Sequence, residues 1–135
     1  MRHTVSPILT TLMLAMPVNG LAQEPGDGDV LFQEHCAVCH GRDARGDGPM
    51  AQVLTLVPPD LTGLSARAGG TFPAAAIVRW IDGRDTIPSH GGPMPLFGRL
   101  LQGESAVIDG ADGSPVFTTR AIYDIVAWLE EIQEE

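Results

Sequence analysis

Five consecutive residues restrict what this chain can fold into more than any other feature. Cys36 to His40 form the pattern C-x-x-C-H, and Cys36 and Cys39 are the only two cysteines among the 135 residues. Residues three apart on a helix lie within one turn, so both sulfur atoms can meet the same edge of a flat ligand. The pattern is that of a c-type haem attachment site, with two thioether bonds and the following histidine as iron ligand. The chain is therefore expected to fold around a porphyrin.

Two other uses of the C-x-x-C pattern fit the rest of the sequence poorly. A thioredoxin-like dithiol expects a strand–helix–strand context, which is not evident here. A zinc site needs further cysteine or histidine ligands at finger-like spacing, and the sequence has none. We predict one haem c, bound covalently through Cys36 and Cys39, with His40 as the proximal ligand.

The first 22 residues have the pattern of a secretory signal. Arg2 gives the positive start, residues 8–16 are apolar, and residues 20–22 form a small-x-small cleavage site. The apolar run is too short and too interrupted by proline for a stable membrane anchor, although an uncleaved amphipathic N-terminal anchor is the alternative. We predict a signal peptide at 1–22, a single haem-binding domain at 23–135, no stable membrane insertion, and a periplasmic location.

The predicted mature chain is strongly acidic. The whole chain has a formal charge of −9 and no lysine, and cleavage after residue 22 removes one arginine and leaves −10. This charge argues against binding to nucleic acid or to an anionic membrane surface. Redox donors and acceptors are the expected partners, with a basic or apolar docking patch.

Apolar spacing and capping residues predict a helical protein with long irregular connections. The predicted helices are residues 30–39 after Asp29, 50–56, 74–81 between Thr71 and Gly83, and a last one from Thr118 to 133. Residues 103–115 are predicted to be a surface loop or a short hairpin. The expected class is all-α, with three to five helices and long loops wrapped around the haem, because loops alone would leave the domain under-packed.

Four side chains are candidates for the second axial iron ligand: Met50, Met94, His35 and His90. Met94 is favoured because it lies between two prolines, which restrict its backbone and suit a weak thioether–iron bond. Met50 is expected to pack in the core and His35 to point away from the cysteines or pair at the surface. His90 would be a stronger ligand and is near enough in sequence to compete.

Several longer motifs resemble monohaem class I cytochromes c, and some are similar to a bacterial periplasmic branch of that family. The motifs occur in the same order as in that family. They are G-x-x-x-F-x-x-x-C-x-x-C-H-G at 28–41, G-D-G-P-M-A at 46–51, P-P-D-L-T at 58–62, F-P-x-x-x-I-V-x-W-I-D-G-R at 72–84 and H-G-G-P-M-P-L-F-G at 90–98. The resemblance implies the cytochrome c fold and places the methionine ligand at Met94. It also implies that the carbonyl of Pro49 accepts a hydrogen bond from His40.

Two further residues are predicted to hold the haem propionates. Trp80 can donate one hydrogen bond, and Arg84, which closes the family-like I-D-G-R motif, can pair with a carboxylate. Arg79 is expected at the surface. Phe32 and Trp128 are expected to form the contact between the first and last helices.

A filled iron site with histidine and methionine ligands predicts a one-electron carrier with no catalytic reaction of its own. The first hypothesis is therefore a periplasmic carrier that cycles its iron between the ferric and ferrous states. The alternative is a haem c subunit of a periplasmic dehydrogenase or oxidase complex. A third hypothesis is a haem enzyme or gas sensor with an open iron site.

Overall fold

The computed structural model describes residues 26–85, 94 and 97–134. The helices and strands of these residues, in chain order, are α1 Gly28–His35, α2 Ala37–His40, a 3₁₀ helix Pro49–Gln52, α3 Leu64–Arg67, α4 Ala74–Asp82, a second 3₁₀ helix Phe97–Arg99, β1 Ser105–Asp109, β2 Pro115–Thr119 and α5 Arg120–Glu131. Helices and long loops dominate, as the sequence predicted. Among the described residues, no helix is long and apolar enough to span a bilayer. The predicted signal peptide lies outside them.

The first and last helices cross at very short range. A Cβ atom on Gly28 would lie 2.1 Å from the carbonyl oxygen of Asp124, so only glycine permits this approach. One turn later, the ring of Phe32 lies against the ring of Trp128, with 4.6 Å between the ring centroids. The predicted contact between Phe32 and Trp128 is confirmed.

The core lies where α4 packs on α5. Both helices are strongly amphipathic, and their apolar faces are almost completely buried, through Ile77, Val78, Ile81, Ile122, Ile125, Val126 and Leu129. Each such side chain contributes about 1.5–3 kcal/mol when it leaves water. The periodic pattern that predicted these two helices therefore describes their burial correctly.

The boundaries of the first helix differ from the prediction. The helix begins at Gly28, after Asp27 rather than Asp29, and it is interrupted at Cys36, where φ is −116°. Helical structure resumes at Ala37 and ends at His40, and the next residue, Gly41, has a positive φ of 79°. The interruption separates the helix that packs on α5 from the short helix that carries the haem motif.

Three other predicted helix limits also shift. Pro73 rather than Thr71 precedes α4, while Gly83 ends it in the left-handed conformation, as expected. The cap of the last helix is Thr119, whose hydroxyl accepts a hydrogen bond from the Ile122 amide. The predicted helix at 50–56 is only a 3₁₀ turn, Pro49–Gln52.

A β-hairpin joins the second 3₁₀ helix to α5. Strands β1 and β2 pair antiparallel, with Val107 opposite Phe117 and Ile108 opposite Val116. Val116 is buried against the core, while Val107 and Phe117 are exposed. Residues 103–115 thus form part of a hairpin, one of the two forms predicted for them, and the hairpin extends to Thr119.

Candidate haem-binding cavity

An apolar cavity of about 260 Å³ opens between the helices beside the C-x-x-C-H motif. Its walls are mostly aliphatic and aromatic side chains, including Phe32, Leu61, Leu64, Ile77, Ile125 and Leu129. Three residues with sulfur or imidazole groups also line it: Cys36, His40 and Met94. Apolar walls that carry thiol, imidazole and thioether groups fit a haem c, because this cofactor is apolar across its faces and is held by these groups.

Helix α2 and the residue before it place His40 and Cys36 in the wall of this cavity. Both residues are 8% exposed, and the His40 amide donates to the Cys36 carbonyl at 2.9 Å. The following loop folds back onto the same helix, where the Gly48 amide donates to the Cys39 carbonyl at 3.2 Å. A Cβ on Gly48 would lie 2.6 Å from the Ala37 carbonyl oxygen, so glycine permits the return of the loop.

Burial, with a smaller contribution from nearby Cys39, raises the pKa of the Cys36 thiol to about 12. Disulfide exchange requires a thiolate, so a neutral buried thiol does not suit a redox dithiol. Among residues 26–85, 94 and 97–134, no group of three or more His, Cys, Asp or Glu side chains could hold a metal ion. The described residues therefore support neither a thioredoxin-like redox dithiol nor a zinc site.

Met94 is half-buried and lines the same cavity as His40. Met50 is 40% exposed in the first 3₁₀ helix, so the expectation that it packs in the core is wrong. The His35 ring lies 6.4 Å from the ring of Phe97, and its Nε2 atom is 3.9 Å from a Glu34 carboxylate oxygen. His35 thus pairs near the surface, as expected. The competing candidate His90 lies outside the described residues.

The two residues predicted to hold propionates lie in different surroundings. Trp80 lines the cavity from α4. Arg84 is outside the cavity lining, and its guanidinium pairs with Asp82 and donates to the Phe117 carbonyl at 2.8 Å. Arg79 is at the surface and pairs with Asp85. The propionate role of Arg84 stays a prediction, while its observed contacts join α4 to β2.

Sequence reasoning missed a charged residue at the cavity, Arg67. Arg67 lines the cavity, and its guanidinium donates to the backbone carbonyl of Asp60. The carboxylate of Asp60 accepts hydrogen bonds from the hydroxyl and amide of Thr62, which lower its pKa. Helix α3, which carries Arg67, has only four residues and gives no periodic signal in the sequence. The one sequence signal that could have identified Arg67 is its position as a single arginine shortly after the P-P-D-L-T motif.

Pro49 is the first residue of the 3₁₀ helix and directly follows Gly48, which packs on α2. The hydrogen bond predicted from His40 to the Pro49 carbonyl stays a prediction.

The comparison with protein families matches the model described as Cytochrome c to residues 26–133. The chain belongs to the cytochrome c family. Searches of curated proteins and of solved structures gave no match. Membership of the cytochrome c family implies covalently bound haem c, redox partner proteins and haem-based electron transfer. The predicted fold class is confirmed, since the helices and loops agree with the cytochrome c fold.

Proposed function

We propose that this cytochrome c is a periplasmic one-electron carrier with a single haem attached through both Cys36 and Cys39. The proposed axial ligands of the iron are His40 and Met94. The observation that carries the proposal is that a histidine and a methionine, His40 and Met94, line one apolar cavity together with Cys36, the first cysteine of the motif.

When bound, the haem supplies an iron that exchanges one electron between its ferric and ferrous states. The residues of the chain determine how readily this happens. A thioether opposite an imidazole favours the ferrous state, and a filled coordination shell leaves no site for oxygen or peroxide. The apolar walls exclude water, which would otherwise stabilise the more highly charged ferric site. These properties suit electron transfer rather than catalysis.

Charge and exposure together favour a redox partner with an apolar contact face and a basic rim. Residues 49–59 contain no charged side chain, although the predicted mature chain carries a formal charge of −10. Within this segment, Val53 and Val57 are 72% and 71% exposed. The segment follows α2 and contacts it through the first 3₁₀ helix. A partner that docks there can approach the haem motif across an uncharged surface.

A second candidate function is a haem subunit of a periplasmic dehydrogenase or oxidase complex. The exposed pair Val107 and Phe117 on the hairpin favours it, because a large apolar pair in water can serve a stable interface. Native size-exclusion chromatography followed by haem staining separates the two functions. A free carrier elutes at the size of one small domain, and a subunit elutes with a larger catalytic partner.

Absorption spectra of the exported protein in both redox states, with and without carbon monoxide, test the proposed function. We expect a low-spin spectrum, a weak long-wavelength sulfur-to-ferric band, and no carbon monoxide binding at neutral pH. The mass of the polypeptide should exceed the mass of residues 23–135 by one haem. A five-coordinate ferric spectrum, or a polypeptide without added haem, would contradict the proposal.

We also propose that Arg67, with Trp80, binds a haem propionate. A guanidinium has five N–H donors, so its bond to the Asp60 carbonyl leaves donors for a carboxylate. Arg67→Gln is expected to lower the midpoint potential by roughly 30–60 mV, since a nearby positive charge that favours ferrous iron is lost. The measurement is a redox titration with spectroscopic readout.

Arg84→Gln is the matched control for this titration. Its guanidinium pairs with Asp82 and Phe117 outside the cavity, so the midpoint potential is expected to stay close to that of the unchanged protein. The reverse outcome, with a large shift for Arg84→Gln and none for Arg67→Gln, would return the propionate role to the residue predicted from the sequence.

A further inference from the structure

The side-chain amide of Gln133, just beyond the end of α5, makes three hydrogen bonds to backbone groups. Its Nε2 atom donates to the Leu61 carbonyl at 2.9 Å and to the Leu129 carbonyl at 2.6 Å. Its Oε1 atom accepts from the Ser65 amide at 2.9 Å. Two carbonyl partners and one N–H partner fit only this orientation of the amide.

These bonds complete two helix ends at once. The first amides of a helix have no partner within it, and Gly63, the residue before α3, has no side chain to cap them. Gln133 supplies that cap to Ser65 from 68 residues away. At the other end of the network, it binds the Leu129 carbonyl in the last turns of α5, where carbonyls also lack helical partners.

The segment held by Gln133 is a wall of the cavity. Leu61, Leu64 and Arg67 all line it. The wall also has backbone attachments, because the Leu61 amide donates to the Ala44 carbonyl at 2.7 Å and the Glu134 amide donates to the Thr62 carbonyl at 2.8 Å. Helix α3 has only four residues and cannot be stable by itself, so its position depends on such attachments.

We propose that Gln133 is a positioning residue for the haem. Its three hydrogen bonds fix the position of the cavity wall at residues 61–67, and the position of this wall affects the reduction potential of the haem. The inference rests on the proposed function, since it requires a haem in the cavity. Loss of the amide leaves two carbonyls and one N–H without their partner, and α3 moves outward to reach water. Water then reaches the cavity and stabilises the ferric state.

Gln133→Met removes all three hydrogen bonds and keeps the length of the side chain. We expect the one-electron reduction equilibrium to shift about threefold to tenfold toward ferric iron, which is roughly 30–60 mV at 59 mV per decade. The sulfur-to-ferric band should persist, because Met94 lies outside the segment 61–67 that Gln133 holds. The methyl resonances of Leu61 and Leu64 should lose part of their haem ring-current shift in NMR spectra of the reduced protein.

Gln52→Met is the matched control, because Gln52 is an exposed glutamine on the first 3₁₀ helix. Its midpoint potential and its methyl shifts are expected to equal those of the unchanged protein. If Gln133→Met does not accumulate, Gln133→Asn keeps the amide but is one methylene too short to make all three bonds, and it should shift the potential in the same direction.

Two outcomes would overturn the inference, and they are distinguishable. If the unchanged protein shows histidine–methionine ligation while the Gln133 variants lose stability without any shift in potential, Gln133 supports only the fold. If the unchanged protein has an open iron site or no haem, the proposed function fails first and the inference fails with it.

Discussion

Met94→Ala is expected to give a protein that still carries its covalent haem but binds carbon monoxide when reduced. Met94 lines the cavity together with His40, and alanine has no atom that could ligate iron. Removal of the sulfur therefore opens the sixth position, abolishes the sulfur-to-ferric band, and lowers the midpoint potential because the ligand that favours ferrous iron is gone. Absorption spectra in both redox states, with a carbon monoxide titration, measure the first two effects, and a redox titration with spectroscopic readout measures the midpoint potential.

Met50→Ala is the matched control for this experiment. Met50 is 40% exposed on the first 3₁₀ helix, so its replacement should leave the spectrum unchanged and alter the free energy of unfolding by no more than about 0.5 kcal/mol. A Met94→Ala protein that keeps a closed, low-spin site would show that another group ligates the iron. The double replacement Met94→Ala and His90→Ala then tests His90, the competitor identified from the sequence.

The parts of this molecule that sequence predicts well are those whose signal is local. The haem motif needs only five adjacent residues, and α4 and α5 repeat their apolar residues often enough to reveal a buried face. Gly83 ends α4 because glycine adopts the left-handed conformation without strain. Even for these helices, the observed first residue differs from the predicted one by one or more positions. Neighbouring residues such as Thr118 and Thr119 can both cap the same first turn, so the sequence does not show which of them does.

The parts that sequence does not predict depend on contacts between distant residues. Nothing local to Arg67 or Arg84 shows which of the two arginines lines the cavity, because that depends on where α3 and β2 pack. Helix α3 is too short for a periodic pattern, and its cap comes from Gln133. A short hairpin was one of two forms predicted for residues 103–115, but its extension to Thr119 was not predicted, since the strands are short and one face of each is largely exposed.

Phe32→Ala is expected to cost about 3–5 kcal/mol of unfolding free energy, a large part of the 5–15 kcal/mol typical of a small domain. Phe32 is 1% exposed, contacts Trp128 and lines the cavity, so alanine leaves a void at the crossing of α1 and α5. Phe117→Ala makes the same chemical change at a side chain that is 67% exposed, and it should cost no more than about 0.5 kcal/mol. Urea unfolding of the two haem-loaded variants gives the comparison directly. If both variants lost a similar amount of unfolding free energy, the contact of the Phe32 ring between α1 and α5 would not be important for stability. The shape of the cavity would then depend on the haem itself.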